Sequence, residues 1–459
     1  MDLEFIKRRQ VLADTLDEQG CSILILHYIH DKEFTEGIHF PHHLCRWLNL
    51  PLEEDFTFIM LNTRQIKLPE ELMDKMDKSK PWSCILNFVE ENPDDKVWRE
   101  GSGIPYECTE EYYDVDLAIP SDQIKGLLQD LIIENRKEIF FYQFLSKNWE
   151  ISCVEKLIRS LEPSILEPGK NLFSPEIIFD RLRLVKSPYE IDLIKKACEI
   201  SQIAHLAVLE RIKPGVSENV LDGIFTGTVI CSGCRRTAYP NIIGSGSNST
   251  IIHYNRNNRI MEFGDLLLID AGAEWMGYAS DVTRTYPVCG NFSKAQLDIY
   301  KLVLNVQLVC IANCKPNYDF NCLQTDAITL LTHGLRELGI LKGSISLLLK
   351  EQVVLQFFPH GIGHWIGLQV HDCPSVTRLT EQVEKRTKFE PGMVITVEPG
   401  IYIGNHIKPN EFIDEKILNM YRGIGVRIED VILIDTDNPK VLSQGIPKEV
   451  TEIEQFMNR

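Results

Sequence analysis

The stretch Gly264 to Val288, GDLLLIDAGAEWMGYASDVTRTYPV, decides the fold. Leu266 to Ile269 is a short apolar run of buried-strand type, and its end delivers Asp270. Ala271 and Gly272 leave room beside that carboxylate. A turn at Met276 and Gly277 reverses the chain, and a return strand opening at Asp281 alternates through Thr283 and Thr285. Two aspartates eleven positions apart, on adjacent strands of a hairpin, meet side by side. Like charges forced together need a proton or a cation. One aspartate at a strand end is ordinarily a turn cap; a pair among small residues inside apolar strands fits a cation site as well as it fits that structural role.

Three more segments repeat the device. In FPHGIGHWIGLQVHD (358–372) His360, His364 and His371 converge, and Gly361, Gly363 and Gly367 strip bulk from around them. Neutral imidazole is a ligand for divalent transition metals, although a single such histidine is more often a satisfied core residue. In MVITVEPG a buried strand from Met393 to Val397 ends on Glu398, with Thr396 on the same face. In GVRIEDVILI one strand sets Glu429 inside an apolar run. A carboxylate there is costly unless paired or metal-bound, and Arg427, two residues earlier on the same face, is the ordinary structural partner. The full set is Asp270, Asp281, His364, Glu398 and Glu429. Four carboxylates and one imidazole suffice for two divalent ions bridged by carboxylates. Oxygen ligands with one nitrogen suit Mn, Co or Fe, with Zn also possible.

The rest of the chain sets bounds. Its 459 residues exceed one ordinary core and predict two domains. A formal net charge of −18 disfavours nucleic acid or an anionic membrane as partner; it is compatible with a site that gathers carboxylates around cations, but on charge by itself solubility alone is the preferred reading. No run of about 18 apolar residues predicts a spanning helix. The N-terminal MDLEFIKRRQVLADTLDEQG reads as an amphipathic helix rather than a signal peptide. The 13 cysteines are scattered and odd in number, which suits free thiols in a reducing, cytoplasmic setting. Cys231 and Cys234 form a CSGC pair without a second pair, and His39, His42, His43 and Cys45 lack regular ligand spacing, so neither reads as a metal site.

The first third carries strands at Ser22 to Tyr28, Phe56 to Leu61, Cys84 to Val89 and Glu138 to Phe144, a helix at Ser121 to Asn135 and a polar loop at Asn92 to Gly103. A break falls near Leu166 to Ser174. Ser187, Pro188 and Glu190 form a capping-box pattern that opens a helix from Tyr189 to Ile212. Further helices are expected at Lys294 to Cys314 and Cys322 to Leu338.

The stretches RLRLVKSPYEI (181–191), NIIGSGSNSTIIHY (241–254), LLIDAGAEWMGYASDVTRTYPV (267–288), FPHGIGHWIGLQVHD (358–372), TVEPGIYI (396–403) and YRGIGVRIED (421–430) resemble, in order, the pita-bread metallopeptidases, aminopeptidase P most closely. The resemblance implies an α/β (α+β) chain: a small creatinase-like N-terminal α/β domain over 1–170, then a pita-bread catalytic domain over 171–459 with a pseudo-two-fold sheet capped by helices. It implies that Asp270, Asp281, His364, Glu398 and Glu429 hold the metals, most simply manganese. Glu398 would also take the proton of the attacking water. His371, with His253, would stabilise the oxyanion, His360 would contact the proline side, and Arg427 would support the cluster. The implied substrates are peptides cut before proline, and the implied assembly is a homodimer or homotetramer. Two features depart from the family: HLCRWLNLP (43–51) in place of an aromatic-rich segment, and a long polar stretch from Gly404 to Met420, read as a surface insertion. The rival readings are a prolidase restricted to dipeptides, a methionine aminopeptidase, a metal-free creatinase-like hydrolase and a non-catalytic peptide-binding module.

Overall fold

The computed structural model describes residues 2–28, 46–50, 56–77, 79–88, 108–120, 122–144, 170–376 and 388–458. Two compact units, Met1–Leu182 and Arg183–Arg459, divide the chain. The first begins with a helix, Asp2–Glu18. Its sheet contains β1 (Cys21–Tyr28), β2 (Phe56–Asn62), β3 (Trp82–Phe88), β4 (Leu117–Pro120), β5 (Ile139–Phe144) and β6 (Leu172–Phe173), in the order β4-β3-β2-β1-β5-β6. The strands β1, β2 and β3 pair antiparallel, and β4, β5 and β6 add on in parallel. All seven residues of β2 are buried, which explains why apolar side chains occupy both faces along Phe58–Leu61. The helix Ile124–Glu134 buries Ile124, Leu127, Leu128, Leu131 and Ile132, one face at helical spacing, in a core shared with Ile23, Ile59 and Ile85. The sequence reading missed β4, a four-residue edge strand ending at a proline. The segments 92–103 and 39–45 lie outside the described residues.

The second unit repeats one order twice: two helices, then a three-stranded antiparallel sheet. Helices Pro188–Leu209 and Glu218–Cys231 precede β7 (Ile242–Ser245), β8 (Leu266–Asp270), a small hairpin of β9 (Glu274–Trp275) and β10 (Tyr278–Ala279), and β11 (Thr283–Pro287), with sheet order β11-β8-β7. Helices Lys294–Asn313 and Phe320–Glu337 precede β12 (Val394–Val397), β13 (Gly400–Tyr402), β14 (Gly425–Arg427), β15 (Asp430–Leu433) and β16 (Lys440–Val441), with order β12-β15-β16 and a separate β13–β14 pair. The repeat extends to the caps. Ser187 with Glu190 and Ser293 with Gln296 each form a complete capping box at the start of the leading helix. The helix Lys294–Asn313 is long and apolar enough to cross a membrane, yet half of that apolar window is buried in the core. It also turns Gln307 onto Asp430, as a core helix does.

Three expectations are corrected. Asp281 does not open the return strand: the β9–β10 hairpin turns at Met276 and Gly277, both at positive φ, and β11 starts at Thr283, opposite Asp270. The run GVRIEDVILI is not one strand. It changes sheets at Ile428 and Glu429, since β14 pairs with β13 and β15 with β12. The stretch from Gly404 to Met420 is no mere surface insertion, because Ile407, Ile413 and Leu418 are buried in the main core.

Candidate metal centre

The two sheets bring the five proposed ligands together from separate segments. Asp270 ends β8, Asp281 follows the small hairpin, and Glu429 sits where the chain changes sheets. The segment carrying His364 lies against β12: Thr396 N–H donates to the His364 carbonyl at 2.8 Å and Glu398 N–H to that of Ile362 at 2.8 Å. This pairing sets His364 beside Glu398. Gly363 permits it, because a Cβ there would stand 2.0 Å from the Thr396 carbonyl oxygen. Donor atoms of Asp281, His364 and Glu429 all lie within 4.8 Å of one another. His364 Nε2 is 3.3 Å from Asp281 Oδ2 and 3.6 Å from Glu398 Oε1. Asp270 joins through its neighbours, as it shares the Tyr239 hydroxyl with Asp281.

The electrostatics of this group are unbalanced. Asp270, Asp281 and Glu429 are buried. Burial, then Asp270 and Glu398 nearby, push the Asp281 carboxyl well above its usual range. Burial, then Asp281 and Asp270, do the same to Glu429. Glu398 is pushed up to about 8, by burial and then by Glu429. Among the described residues the only Lys or Arg bonded to the five is Arg427, whose Nη2 donates to Asp270 Oδ2 at 2.6 Å. The sequence neighbour Glu429 is therefore not its partner. The Glu429 carboxylate accepts instead from the Thr283 hydroxyl at 2.7 Å, and Arg427 Nε donates to that same hydroxyl at 3.0 Å.

The imidazoles are set by their other hydrogen bonds. His364 Nδ1 faces the Trp365 carbonyl at 3.0 Å, so it carries the proton and Nε2 turns a lone pair toward the carboxylates. A lone pair aimed at carboxylate oxygens is repulsive unless a cation stands between them. The donor set thus fits divalent metal. His360 Nδ1 donates to the Gly361 carbonyl at 2.8 Å, and its Nε2 accepts from the Tyr402 hydroxyl at 2.8 Å. That hydroxyl accepts in turn from Arg427 Nη1 at 2.8 Å. Burial and then Arg427 push His360 down to about 3, so it is neutral. His371 stacks edge-on against His364 with ring centres 4.3 Å apart. The neighbouring His364 ring, then burial, push His371 down to about 4. His253 is exposed on the loop after β7, close enough to lower the pKa of both His360 and His371.

A family profile described as metallopeptidase family M24 matches residues 192–436, a span holding all five of these side chains. The chain belongs to this family. As an M24 metallopeptidase it uses divalent metal ions. It is 40% identical to the Xaa-Pro aminopeptidase of Haemophilus influenzae over 281 residues, covering 61% of this chain and 62% of that one. It is 33% identical to the Xaa-Pro aminopeptidase of Escherichia coli over 388 residues, 83% of this chain and 84% of the relative. Among solved structures, aminopeptidase P from E. coli with the inhibitor Pro-Leu superposes with a TM-score of 0.81 at 28% identity, covering 100% of this chain and 98% of that one. Proline aminopeptidase P II from Yersinia pestis gives 0.81 at 29% identity, covering 100% and 99%.

Two residues of this M24 site escaped the sequence reading. Tyr239 lies in the loop before β7 and its hydroxyl touches both aspartates, but nothing in RTAYPN marks it. Tyr402 lies inside the matching stretch TVEPGIYI, and only the fold brings its hydroxyl from β13 to Arg427 on β14. Neither Cys231 nor Cys234 belongs to a metal-ligand cluster among the described residues: Cys231 ends the helix Glu218–Cys231 and is exposed, and Cys234 follows it and is buried.

Proposed function

We propose that this protein is a dinuclear metal-dependent Xaa-Pro aminopeptidase, releasing the N-terminal residue of peptides whose second residue is proline. The observation that carries the proposal is the convergence of Asp281, Glu398 and Glu429 on His364, with Asp270 joined to Asp281 through Tyr239 and a single guanidinium bonded to the group among the described residues. Asp270, Asp281, His364, Glu398 and Glu429 would hold two divalent ions. When bound, the ions neutralise the carboxylates, polarise the scissile carbonyl and acidify the attacking water. Manganese is the first choice, with cobalt, iron and zinc as alternatives, because the donors are four carboxylates and one nitrogen.

The chain's own side chains do the remaining work. Glu398, raised in pKa by burial and Glu429, takes the proton of the attacking water and passes one to the leaving proline nitrogen. His371, with His253 beside it, stabilises the oxyanion. Neutral His360, held by Gly361 and Tyr402, contacts the proline side of the substrate. Arg427 fixes Asp270 and Tyr402 in register. Proline offers no N–H and fixes φ, so recognition rests on the ring and on the residue before it rather than on a grip on that amide.

The deciding experiment assays Arg-Pro-Pro against Gly-Pro with each metal. Hydrolysis of the tripeptide supports the aminopeptidase, and activity confined to the dipeptide would replace it with a prolidase. Glu398→Ala should abolish hydrolysis and weaken metal loading, and full retained activity would overturn the assignment. Metal analysis of the purified protein should find two equivalents, where none would indicate a binding module. A homodimer or homotetramer and a cytoplasmic location complete the proposal. Light scattering and fractionation test them.

A further inference from the structure

The matching stretch RLRLVKSPYEI contributes a helix cap through its second half, but Arg183 and Lys186 in its first half have no part in the reading above. Both side chains are almost wholly buried, and both converge on the carboxylate of Asp372. The guanidinium of Arg183 donates to Oδ1, and Lys186 Nζ to Oδ2 at 3.1 Å. Packing around the trio is tight: a Cβ on Gly367 would come 2.5 Å from Asp372 Oδ2 and 2.9 Å from Lys186 Cε. The segment bearing the two cations is itself pinned, since Lys186 N–H donates to the Gly392 carbonyl at 2.9 Å and Val185 bridges to Met393. Gly392 and Met393 lead into β12, whose far end is followed by Glu398.

Asp372 follows His371 directly. Its N–H donates to the Trp365 carbonyl at 2.8 Å, the same oxygen that accepts the Nδ1 proton of His364. The Trp365 carbonyl, which fixes the His364 tautomer, therefore also holds Asp372, the residue directly after the one that bears the next imidazole. Buried ion pairs give little or no net stability over apolar packing of the same shape; where they are kept, they set one geometry against its alternatives. Asp372 turns its side chain toward Arg183 and Lys186, and its backbone neighbour stacks on His364.

We infer that Arg183 and Lys186 are positioning residues which, through Asp372, hold His371 against His364 at the reacting centre. The inference rests on the proposed function, in that His371 is taken to act on substrate. The test is a double-mutant cycle on Arg-Pro-Pro hydrolysis with the metal-loaded protein. Lys186→Met leaves Arg183 on Asp372 and is the variant best placed to fold; Asp372→Asn serves as the second. Each should lower kcat roughly tenfold, with KM and metal content little changed. In the His371→Ala background neither should cost anything further, because the group they position is gone. Losses that multiply with that of His371→Ala, or a lowered melting point with kcat intact, would reduce the trio to a structural clamp and overturn the inference. Full activity in His371→Ala alone would instead overturn the role given to that histidine, and the inference with it.

Discussion

The hydroxyl of Tyr239 stands 2.6 Å from Asp270 Oδ1 and 2.5 Å from Asp281 Oδ1, joining the aspartate that ends β8 to the one between β10 and β11 through one oxygen. A phenol has a single proton and can donate to one carboxylate at a time. Burial, then Asp270 and Asp281, raise its pKa well above the usual phenol value, so the proton is retained. Tyr239→Phe removes the donor and leaves the two carboxylates to repel each other. The expected result is a loss of roughly 10–100-fold in metal affinity or activity. Metal titration by calorimetry checks it, and unchanged binding would show that the hydroxyl is a bystander.

Much of this centre was legible in the sequence because strands deliver side chains at their ends. Asp270 and Glu398 each follow an apolar run, and Ser187 announces its capping box three residues ahead of Glu190. The glycines around His364 were legible as missing bulk, and Gly363 does lie against Thr396. The break at Glu429 was not. A two-residue alternation through GVRIEDVILI reads the same whether it is one strand or two that change partners. The partner of Arg427 was misread for a related reason. Chain neighbours suggested Glu429, while pairing of β13 with β14 turns the guanidinium to Tyr402 and Asp270. Polar composition between Gly404 and Met420 hid Ile407, Ile413 and Leu418, because scattered anchors lack a period.

Behind Glu429 lies a second buried charge group with the opposite sign logic. Asp430 accepts from Arg284 at 2.7 Å, Ser443 at 2.6 Å, Gln307 at 2.8 Å and Lys448 at 2.7 Å. Burial alone would raise its pKa, but Arg284 and Lys448 outweigh burial and hold it below the usual carboxylate range. The folded pKa being the lower one, the stabilisation is complete above the unfolded value of 3.8 and is lost as pH falls from there toward the folded value. Asp430→Asn should cost about 3–5 kcal/mol at neutral pH by stranding the buried Arg284 and the half-buried Lys448. The deficit should shrink as pH falls below about 4, where the unfolded wild-type chain takes up the proton that the folded carboxylate still refuses. Urea unfolding across that range measures it, and a deficit constant with pH would refute the ion-pair account.

Gly363 gives a steric prediction. A methyl group there would meet the Thr396 carbonyl oxygen at 2.0 Å, and that backbone is tied down by the pairing of β12 with β15. Gly363→Ala must push the His364 segment off β12. The cost is about 1–3 kcal/mol of stability, with His364 drawn away from Glu398. Thermal melting and metal titration should both fall. A variant with normal melting and normal metal affinity would mean that the segment slides at no cost.

Tyr402 links the neutral histidine to the cluster: it donates to His360 Nε2 and accepts from Arg427 Nη1, each at 2.8 Å. Tyr402→Phe strands a buried imidazole nitrogen and a guanidinium N–H together, which costs about 1–3 kcal/mol. Arg427 keeps its bond to Asp270, so the aspartate stays in place and metal content should hold. His360, already pushed down to about 3 by burial and then by Arg427, remains neutral without the tyrosine, because both causes persist. The variant should therefore lose activity roughly tenfold at every pH between about 6 and 9, with the shape of the pH profile preserved. A shifted acid limb would instead show that Tyr402 controls the protonation of His360, and the order of the chain from His360 to Asp270 would have to be redrawn.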